Sequence, residues 1–313
     1  MIGYILRRLA ATVPVMLIVA VLVFLMLRLT PGDPAAIIAG DNANSEQIAQ
    51  IRNRLGLDQP LFSQFFIWLL NIFHGDFGES FFFKKTVAEL IASRIEPTIA
   101  LSLFTITLAV VIAVPLGVLA AYRQGTWIDK VVMGFSVLGF SVPVFVIGYS
   151  LIYLFAIKLN WLPVQGYQRL ADGFGGFLTR LLLPSLTLSV IYVALIARMT
   201  RASVIDVLGE DYIRTARAKG QAELKVLFKH ALKNAAVPIV TVIGLGVALL
   251  IGGVVVTESV FTIPGLGRLT VDAVLARDYP TIQAVILLFS FVYVLINLVI
   301  DLVYTLVDPR IRY

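Results

Sequence analysis

The sequence contains no cysteine and only two histidines, His74 and His230, among its 313 residues. Without cysteine the chain has no disulfide, no thiolate metal site and no thiol nucleophile. A disulfide-stapled secreted domain and a zinc-finger fold are therefore excluded. The two histidines fall on opposite sides of the membrane topology deduced below, which excludes a paired-histidine metal site within one chain.

Charge is also scarce, since 14% of the residues are charged and 59% are hydrophobic. An ordinary soluble domain has roughly 25% charged and about 45–50% apolar residues. A disordered chain is excluded, because it would be polar and highly charged. The core of a soluble protein of this length does not need so many apolar side chains. The composition predicts a polytopic all-α membrane protein.

Six long runs without any charged residue predict six membrane-spanning helices. They hold between 17 and 27 residues, and a spanning helix needs about 20. Each run is too long for a strand of a membrane β-barrel, which has about 9–11 residues. The first run is predicted to be an uncleaved span, because no small-residue cleavage pattern follows it. The runs are 9–27, 97–121, 131–157, 181–197, 235–257 and 279–300.

The distribution of basic residues predicts the orientation of the spans. With a cytoplasmic N-terminus, the inside segments hold 14 Lys and Arg in 67 positions and the outside segments hold 11 in 113. Cytoplasmic loops are enriched in Lys and Arg, so both termini are predicted inside. The predicted domains are the N-terminus with the first span (1–29), a periplasmic segment with short helices (30–96) and a core of five further spans (97–313).

The periplasmic segment is predicted to contain several short elements. Asn44 or Ser45 caps a short helix, and Gly56 ends it. The aromatic-rich stretch 61–73 predicts a helix that lies either in the membrane interface or against the outer ends of the spans. Two further elements are expected, a turn at 75–78 and a short helix at 84–94.

The inside loop at 201–235 is long, basic and rich in helix-forming residues, and Gly220 divides it. A helix, a glycine break and a second helix are predicted. In the second helix, apolar residues share one broad face (Leu224, Leu227, Phe228, Ala231 and Leu232) and lysines share another (Lys225, Lys229 and Lys233). Such a helix lies on a membrane surface or in a partner's groove. The lysines are equally consistent with the positive-inside rule alone.

Sequence motifs for catalysis are missing. The chain has no G-x-x-x-x-G-K-[ST] phosphate loop, no H-E-x-x-H and no G-x-S-x-G. Gly244 and Gly246 lack the third glycine of a dinucleotide site and are interpreted as a helix-packing site. No catalytic residue, cofactor or metal is predicted. Nucleic acid is not expected as a partner, because the basic loop is tethered between two spans.

Polar residues within or next to the spans are candidates for a translocation pathway. The uncharged candidates are Ser136, Ser141, Ser189, Tyr192 and Asn297. Glu258, at the outer end of the fifth span, is either an ion-pair residue at the rim or part of the substrate entrance. Asp301 is either a relay carboxylate or the partner of Arg198 or Arg201. Charges at such depths are costly and are therefore informative.

Two spans contain residues that interrupt helices. Gly139, Ser141 and Pro143 occur in the third run, and Pro115 and Gly117 occur in the second. Such residues mark hinges or a pathway, or they reflect the ordinary tolerance of Gly and Pro in membrane helices.

The segment EDYIRTARAKG at 210–220 resembles the cytoplasmic EAA loop of permease subunits in ABC importers. The following HALKNAAVP at 230–238 resembles the variant found in dipeptide, oligopeptide, glutathione and nickel importers. Arg214 replaces a glutamate of the general EAA pattern, as is usual in this branch. Further stretches resemble the B-type subunit of those systems: PGDP (31–34), LGLDQPL (55–61), GDFG (75–78), FTIPGLGR (261–268), RDYP (277–280) and DPRIRY (308–313).

The resemblance implies a type I importer permease fold in the bacterial inner membrane. It implies that two separate ATP-binding subunits hold ATP and Mg, and that the loop at 201–235 couples to one of them. The implied coupling residues are Tyr212, Arg214, Ala216, Arg217 and Gly220. A second, C-type permease subunit, a periplasmic substrate-binding protein and membrane lipid are the other implied partners. Dipeptides or other short peptides are the implied substrates, and the short outer loop at 158–180 resembles the glutathione-type members.

Two other functions compete with a non-catalytic importer subunit. A stand-alone secondary carrier or channel would use an ion gradient, and the coupling loop disfavours it. A membrane-embedded enzyme would need an acid–base or metal cluster within the spans, and the six runs contain no charged residue.

Overall fold

The computed structural model describes residues 2–29, 33–39, 44–54, 56–80 and 82–307. Apart from one short hairpin, the regular structure of these residues is helical. Pro31 and Gly32 of the PGDP stretch lie outside the described residues, as does the DPRIRY stretch at 308–313. The elements before the second span are α1 (Ile2–Arg28), α2 (Pro34–Ala39), α3 (Ser45–Arg54), α4 (Leu61–Phe73), β1 (Glu79–Ser80) and β2 (Lys85–Thr86).

The remaining helices include all the later spans. Short π-helical stretches follow α7 (Ile152–Lys158) and α10 (Val226–Ala231), and a 3-10 turn (Leu170–Asp172) precedes α8. The helices are α5 (Val87–Tyr122), α6 (Trp127–Ser141), α7 (Val144–Leu151), α8 (Phe174–Leu208), α9 (Asp211–Ala218), α10 (Glu223–Lys225), α11 (Leu232–Asn234), α12 (Ala236–Val260), α13 (Leu266–Leu275) and α14 (Tyr279–Val307).

Within the described residues, five helices are long and apolar enough to cross a membrane, and a bent helix pair is the sixth candidate. This confirms the expectation of an all-α polytopic protein. The third predicted run is not one straight helix, because α6 and α7 meet at an angle of 106°. Pro143 has no backbone N–H and disfavours helical geometry in the residue before it. Val142 accordingly adopts φ −97° and ψ 124°.

The chain divides into two compact units. The first comprises Met1–Glu96 and Pro264–Leu295. Its largest cluster of buried side chains joins the start of α5 to α13 and α14 through Val87, Leu269 and Val285, each with no exposed surface. A second cluster packs Phe65 and Trp68 of α4 against Ala20 and Val23 of α1.

The second unit comprises Pro97–Ile263 and Ile296–Tyr313. Helix α8 lies at its centre and packs against α6, α7 and α12. Its side chains Leu188 and Ile196 are almost wholly buried in the main core cluster. Burial on all sides explains why the run on α8 has no polar face.

The short helix α3 is capped as predicted. The Asn44 side chain accepts a hydrogen bond from the Gln47 N–H (2.8 Å), and the Gln47 side chain accepts one from the Asn44 N–H (3.0 Å). This reciprocal pair is a capping box. Gly56, just beyond the helix, has φ +62°, a left-handed conformation that suits glycine.

The predicted short helix at 84–94 is only partly correct, because residues 87–94 are the start of a much longer helix. Lys85 and Thr86 instead pair with Ser80 and Glu79 in an antiparallel hairpin. Helix α5 begins at Val87 and continues through Pro97 and Pro115 to Tyr122. The hydroxyl of Thr86 accepts a hydrogen bond from the Glu89 N–H (3.3 Å) and caps the helix start.

Close packing of α5 against α8 depends on Gly117, which therefore does not interrupt the second span. A Cβ atom at position 117 would lie 2.6 Å from the Thr200 Cβ and 2.7 Å from the Ala197 carbonyl oxygen. Small residues let membrane helices approach to this distance. Gly139 has the same role on α6, where an added Cβ would lie 3.0 Å from the Ala194 Cβ.

Replacing Gly117 with alanine is expected to destabilise the protein by about 1–3 kcal/mol, because the backbone of α8 cannot move aside without strain. Gly134→Ala on α6 is the matched control, since an added Cβ there meets no atom within 4 Å. Alanine favours the helix by roughly 1 kcal/mol over glycine, so the control should be neutral or stabilising. Thermal unfolding in detergent would measure the stability of both variants. Equal changes in stability would contradict the role of Gly117 in packing α5 against α8.

Candidate functional site

The loop predicted at 201–235 begins inside a helix. Helix α8 runs on past Arg201 to Leu208 and ends at Gly209. Helix α9 follows, and a bent helical segment made of α10, a π-helical stretch and α11 then leads into α12. The predicted order of helix, glycine break and second helix is therefore present from 211 onwards.

Gly220 forms the turn between the two helical parts. Its φ is +73°, a conformation that costs other L-residues roughly 1–2 kcal/mol. The backbone N–H groups of Gly220 and Gln221 donate to the Arg217 and Ala216 carbonyls at 2.9 and 3.3 Å. These bonds satisfy carbonyl groups at the end of α9, as in other helix ends that use a left-handed residue.

Side chains on both sides of the turn hold the two helical parts together. The Arg217 guanidinium donates to the Glu223 carboxylate, with a closest distance of 2.6 Å. The His230 Nε2 lies 2.8 Å from the Gln221 Oε1, where a protonated Nε2 donates. The Asn234 Nδ2 donates to the His230 carbonyl at 2.7 Å. The loop is therefore braced at several points along its length.

Two ionisable groups of the loop have perturbed pKa values. The hydrogen bond from Arg217 to Glu223 raises the pKa of the guanidinium. Burial is the main cause that raises the pKa of the Tyr212 hydroxyl, and the charge of Glu210 adds to it. Arg217 is thus a fixed positive charge, and Tyr212 is a neutral hydroxyl at physiological pH.

One face of α9 is buried in the chain's own second core cluster. Ile213 and Ala216 pack there with Val226, Leu227 and Ala231. Ala216, one of the implied coupling residues, is therefore not on the exposed surface, because it is only 9% exposed. Its small side chain permits close packing within the chain rather than against a partner.

The other face of α9 is exposed. The exposed coupling candidates are Tyr212, Arg214, Arg217 and Gly220. Among the described residues, Arg214 pairs with Asp211 alone, and the two side chains are 74% and 95% exposed. Their ion pair therefore contributes little to stability. The exposed surface of this braced loop is therefore a mainly basic helix face.

The predicted apolar face of the second helix is only partly correct. Val226, Leu227 and Ala231 are buried, but Leu224 is 71% exposed and Phe228 is 52% exposed. The stretch Val226–Ala231 is π-helical. A π-helix has a longer hydrogen-bond repeat than an α-helix, so side chains there do not follow the 3.6-residue period used for the prediction.

The serine candidates for a pathway bond mainly to their own helices. Ser136 donates to the Val132 carbonyl and Ser141 to the Val137 carbonyl, each at 2.9 Å. Ser189 donates to the Leu186 carbonyl at 2.9 Å. Ser136 and Ser189 are buried, whereas Ser141 is exposed.

Ser189 also lines an almost wholly apolar cavity of about 480 Å³ within the second unit. Tyr192, on the same helix, is buried in the main core cluster. A Cβ added to Gly253 on α12 would lie 3.4 Å from the hydroxyl oxygen of Tyr192. Tyr192 therefore lies close to α12, and Asn297 is half-buried on α14.

Glu258, expected either as an ion-pair residue at the rim or as part of the substrate entrance, is fully buried. The Thr98 hydroxyl donates to its Oε1 at 2.6 Å. The backbone carbonyl of Glu258 accepts a hydrogen bond from Ile263 at 2.9 Å. In this structure Glu258 joins the end of α12 to the start of the second span.

Arg201, one of the two arginines expected as partners of Asp301, pairs with Asp129 instead, so the expectation is wrong for Arg201. Its Nε and one terminal nitrogen donate to the two carboxylate oxygens of Asp129, at 2.5 and 2.7 Å. The Gly125 N–H donates to the same carboxylate at 2.9 Å. Sequence reasoning missed Asp129, because it directly precedes an apolar run and looked like an ordinary loop residue. The bidentate hydrogen bonding of its carboxylate to Arg201 is visible only in the three-dimensional structure.

The chain matches two families of known proteins. Residues 113–313 match the family described as "Binding-protein-dependent transport system inner membrane component". Residues 1–102 match the family described as "Binding-prot-dependent transport system membrane comp, N-term".

Similar proteins of the same length are known. The chain is 56% identical over 310 residues, 99% of each chain, to "Probable peptide ABC transporter permease protein y4tP" of Sinorhizobium fredii. It is 48% identical over 313 residues, 100% of each chain, to "Glutathione transport system permease protein GsiC" of Salmonella choleraesuis. A solved structure titled as inward-facing MetNI methionine ABC transporter is similar, with a TM-score of 0.57 and 19% identity. That alignment covers 70% of this chain and 96% of the other, and it supports the fold alone.

Replacing Gly220 with alanine is expected to loosen the braced loop. The cost is purely conformational, because an added Cβ meets no atom within 4 Å. A penalty of roughly 1–2 kcal/mol should raise amide hydrogen exchange across 211–234 by about tenfold. Gly220→Asn should have a smaller effect, since asparagine tolerates this conformation better.

Gly209→Ala is the matched control for this prediction. Gly209 has φ −76°, which alanine adopts without strain, and an added Cβ there would have its nearest contact at 3.4 Å. Exchange in 211–234 should stay unchanged in this variant. Equal exchange in the Gly220→Ala and Gly209→Ala variants would refute the role assigned to the left-handed turn.

Proposed function

This chain belongs to the family of inner membrane components of binding-protein-dependent transport systems, and from that premise we propose that it is a permease subunit of an ATP-driven importer of short peptides. It forms the translocation pathway together with a second, C-type permease subunit. Dipeptides are the proposed substrates, with glutathione as a further candidate. The relatives named for peptide and glutathione transport support this choice, since they align over the whole chain.

The observation that carries the proposal is the exposed face of α9 on its braced loop. Energy from ATP must reach the spans through a rigid contact, because a flexible loop would absorb the movement. Ion pairing of Arg217 with Glu223 and packing of Ile213 and Ala216 supply that rigidity. Tyr212, Arg214 and Arg217 are then the residues proposed to contact one of two ATP-binding subunits.

ATP and Mg are proposed to bind to those partner subunits rather than to this chain. The sequence has no phosphate loop to hold a nucleotide. The chain is therefore proposed to be non-catalytic and to move between two arrangements whose populations ATP changes in the partner.

The bacterial inner membrane is the proposed location, with both termini in the cytoplasm. The excess of Lys and Arg in the inside segments supports this orientation. The segment between the first two spans then faces the periplasm and receives a substrate-loaded binding protein. Lipid covers the apolar surfaces of the spans.

The test is purification of the tagged chain with its membrane partners, followed by peptide uptake into proteoliposomes. A second permease and ATP-binding subunits should co-purify, and uptake should require ATP. A chain that purifies alone, or uptake that follows an imposed ion gradient without ATP, would indicate a stand-alone carrier instead.

Arg214→Glu is expected to lower peptide-stimulated ATP hydrolysis about tenfold, because it reverses a charge on the exposed face of α9. Arg123→Glu is the matched control, since it makes the same charge change in the exposed turn between α5 and α6. Both variants should span the membrane and fold normally. Equal ATPase activity in the two variants would show that α9 is not the coupling surface.

A further inference from the structure

The first unit contains a cavity of about 470 Å³ at the end of the first span. Residues from α1, α4, the turn before β1 and the start of α14 line it. Pockets that bind small molecules have volumes of roughly 300–1,000 Å³. On the proposed topology this cavity opens on the periplasmic side, and neither the pathway candidates nor the coupling loop contributes to it.

Arg28 supplies a fixed positive charge in the wall of the cavity. Its guanidinium carbon lies 3.5 Å from the centroid of the Phe24 ring. The Nε donates to the Gln64 Oε1 at 3.0 Å, and a terminal nitrogen donates to the Phe24 carbonyl at 3.2 Å. These contacts among the described residues use two of the five N–H groups of arginine. The guanidinium is therefore held in place with donors left to bind a carboxylate, which it can do in a two-point geometry.

Gln64 explains how Arg28 is held. It is only 6% exposed, although α4 is mostly apolar and aromatic. Its Nε2 donates to the Leu57 and Gln59 carbonyls at 3.2 and 2.8 Å. Both ends of the amide are thus engaged, and its oxygen is directed at Arg28. A buried amide that is hydrogen-bonded at both its nitrogen and its oxygen is a support for the arginine.

Other residues lining the cavity have the opposite charge or an aromatic ring. Asp76 lies in the turn before β1, where its Oδ1 accepts a hydrogen bond from the Gly78 N–H at 2.9 Å. Trp68 and Phe77 also line the cavity. An ammonium group binds favourably both to a carboxylate and to the face of an indole ring.

We infer that this cavity is a binding subsite for a short zwitterionic peptide, with the peptide carboxylate on Arg28 and its ammonium group near Asp76 and Trp68. The inference rests on the proposed function for its substrate class and for the side of the membrane on which the cavity opens. The subsite would hold a peptide before it enters the pathway between the two permease subunits. A neutral peptide of the same size would lack both charged contacts.

Tryptophan fluorescence tests the inference directly, since the chain has three tryptophans and only Trp68 lines the cavity. The double variant Trp127→Phe/Trp161→Phe leaves Trp68 as the single reporter. In lipid-free nonionic detergent, alanyl-alanine should change its emission saturably. N-acetyl-alanyl-alanine amide should bind at least about tenfold more weakly. A matched reporter with Trp161 alone, made by Trp68→Phe/Trp127→Phe, should show no change.

Charge variants on the Trp68 reporter locate the contact. Arg28→Gln should weaken alanyl-alanine binding about tenfold or more. Asp76→Asn should also weaken it, and this variant keeps the test valid if Arg28→Gln does not fold. Arg52→Gln is the matched control, because Arg52 is an exposed arginine of α3 that pairs with Asp33. Equal affinity of the three variants, or no Trp68 response at millimolar peptide, would overturn the subsite.

Two further results separate this inference from the proposed function. Peptide uptake by the complete wild-type transporter without any Trp68 response would overturn the subsite and leave the importer standing. A Trp68 response without ATP-driven uptake would leave the subsite standing and overturn the importer. A response that phosphatidylethanolamine alone produces, and that alanyl-alanine does not compete with, would assign the cavity to a lipid headgroup and overturn the peptide subsite.

Discussion

Backbone hydrogen bonding in an apolar surrounding is the constraint on which this structure depends. Hydrocarbon offers no partner to an N–H or C=O group, so a chain that crosses it must satisfy these groups internally. The long helices α5, α8, α12 and α14 do so within one segment each. The bent pair of α6 and α7 interrupts the pattern at Pro143, where the helix ends and restarts after a sharp bend. The preceding residue adopts extended geometry for the same steric reason.

Close approach of the helices follows from the same constraint. Lipid tails are as apolar as leucine, so burial of apolar area drives helix association weakly in a membrane. Close packing of the helices is the main driving force instead. Glycine permits this close packing where α5 and α6 contact α8. Gly244 extends the principle to α12, where an added Cβ would lie 2.7 Å from the Ile300 side chain. Gly117 and Gly139, which were considered as hinges, both lie at such helix contacts.

Within the long helices, charged side chains lie near the ends, and there they fix the geometry of the adjoining turns and loops. The pair of Asp129 and Arg201 joins the start of α6 to the end of α8, with side chains 6% and 23% exposed. Its carboxylate also holds the turn at Gly125. The loop after α8 is braced in a similar way by Arg217 and Glu223. In the proposed function, the exposed helix face on this support transmits force between a partner and the spans.

The amino-acid sequence by itself determined the class of fold, the number of spans and the presence of a helix–glycine–helix loop. These properties depend on the composition of single segments and on local turn chemistry, as at Gly56 and Gly220, and both are readable along the chain. Only the tertiary structure decided that α5 starts at Val87, that Ala216 faces its own core, and that Arg201 pairs with Asp129 rather than Asp301. The cavity around Arg28 was equally invisible, since its walls come from segments far apart in the sequence. Such features depend on which surfaces meet, and a periodic pattern shows that a face is apolar without showing what covers it.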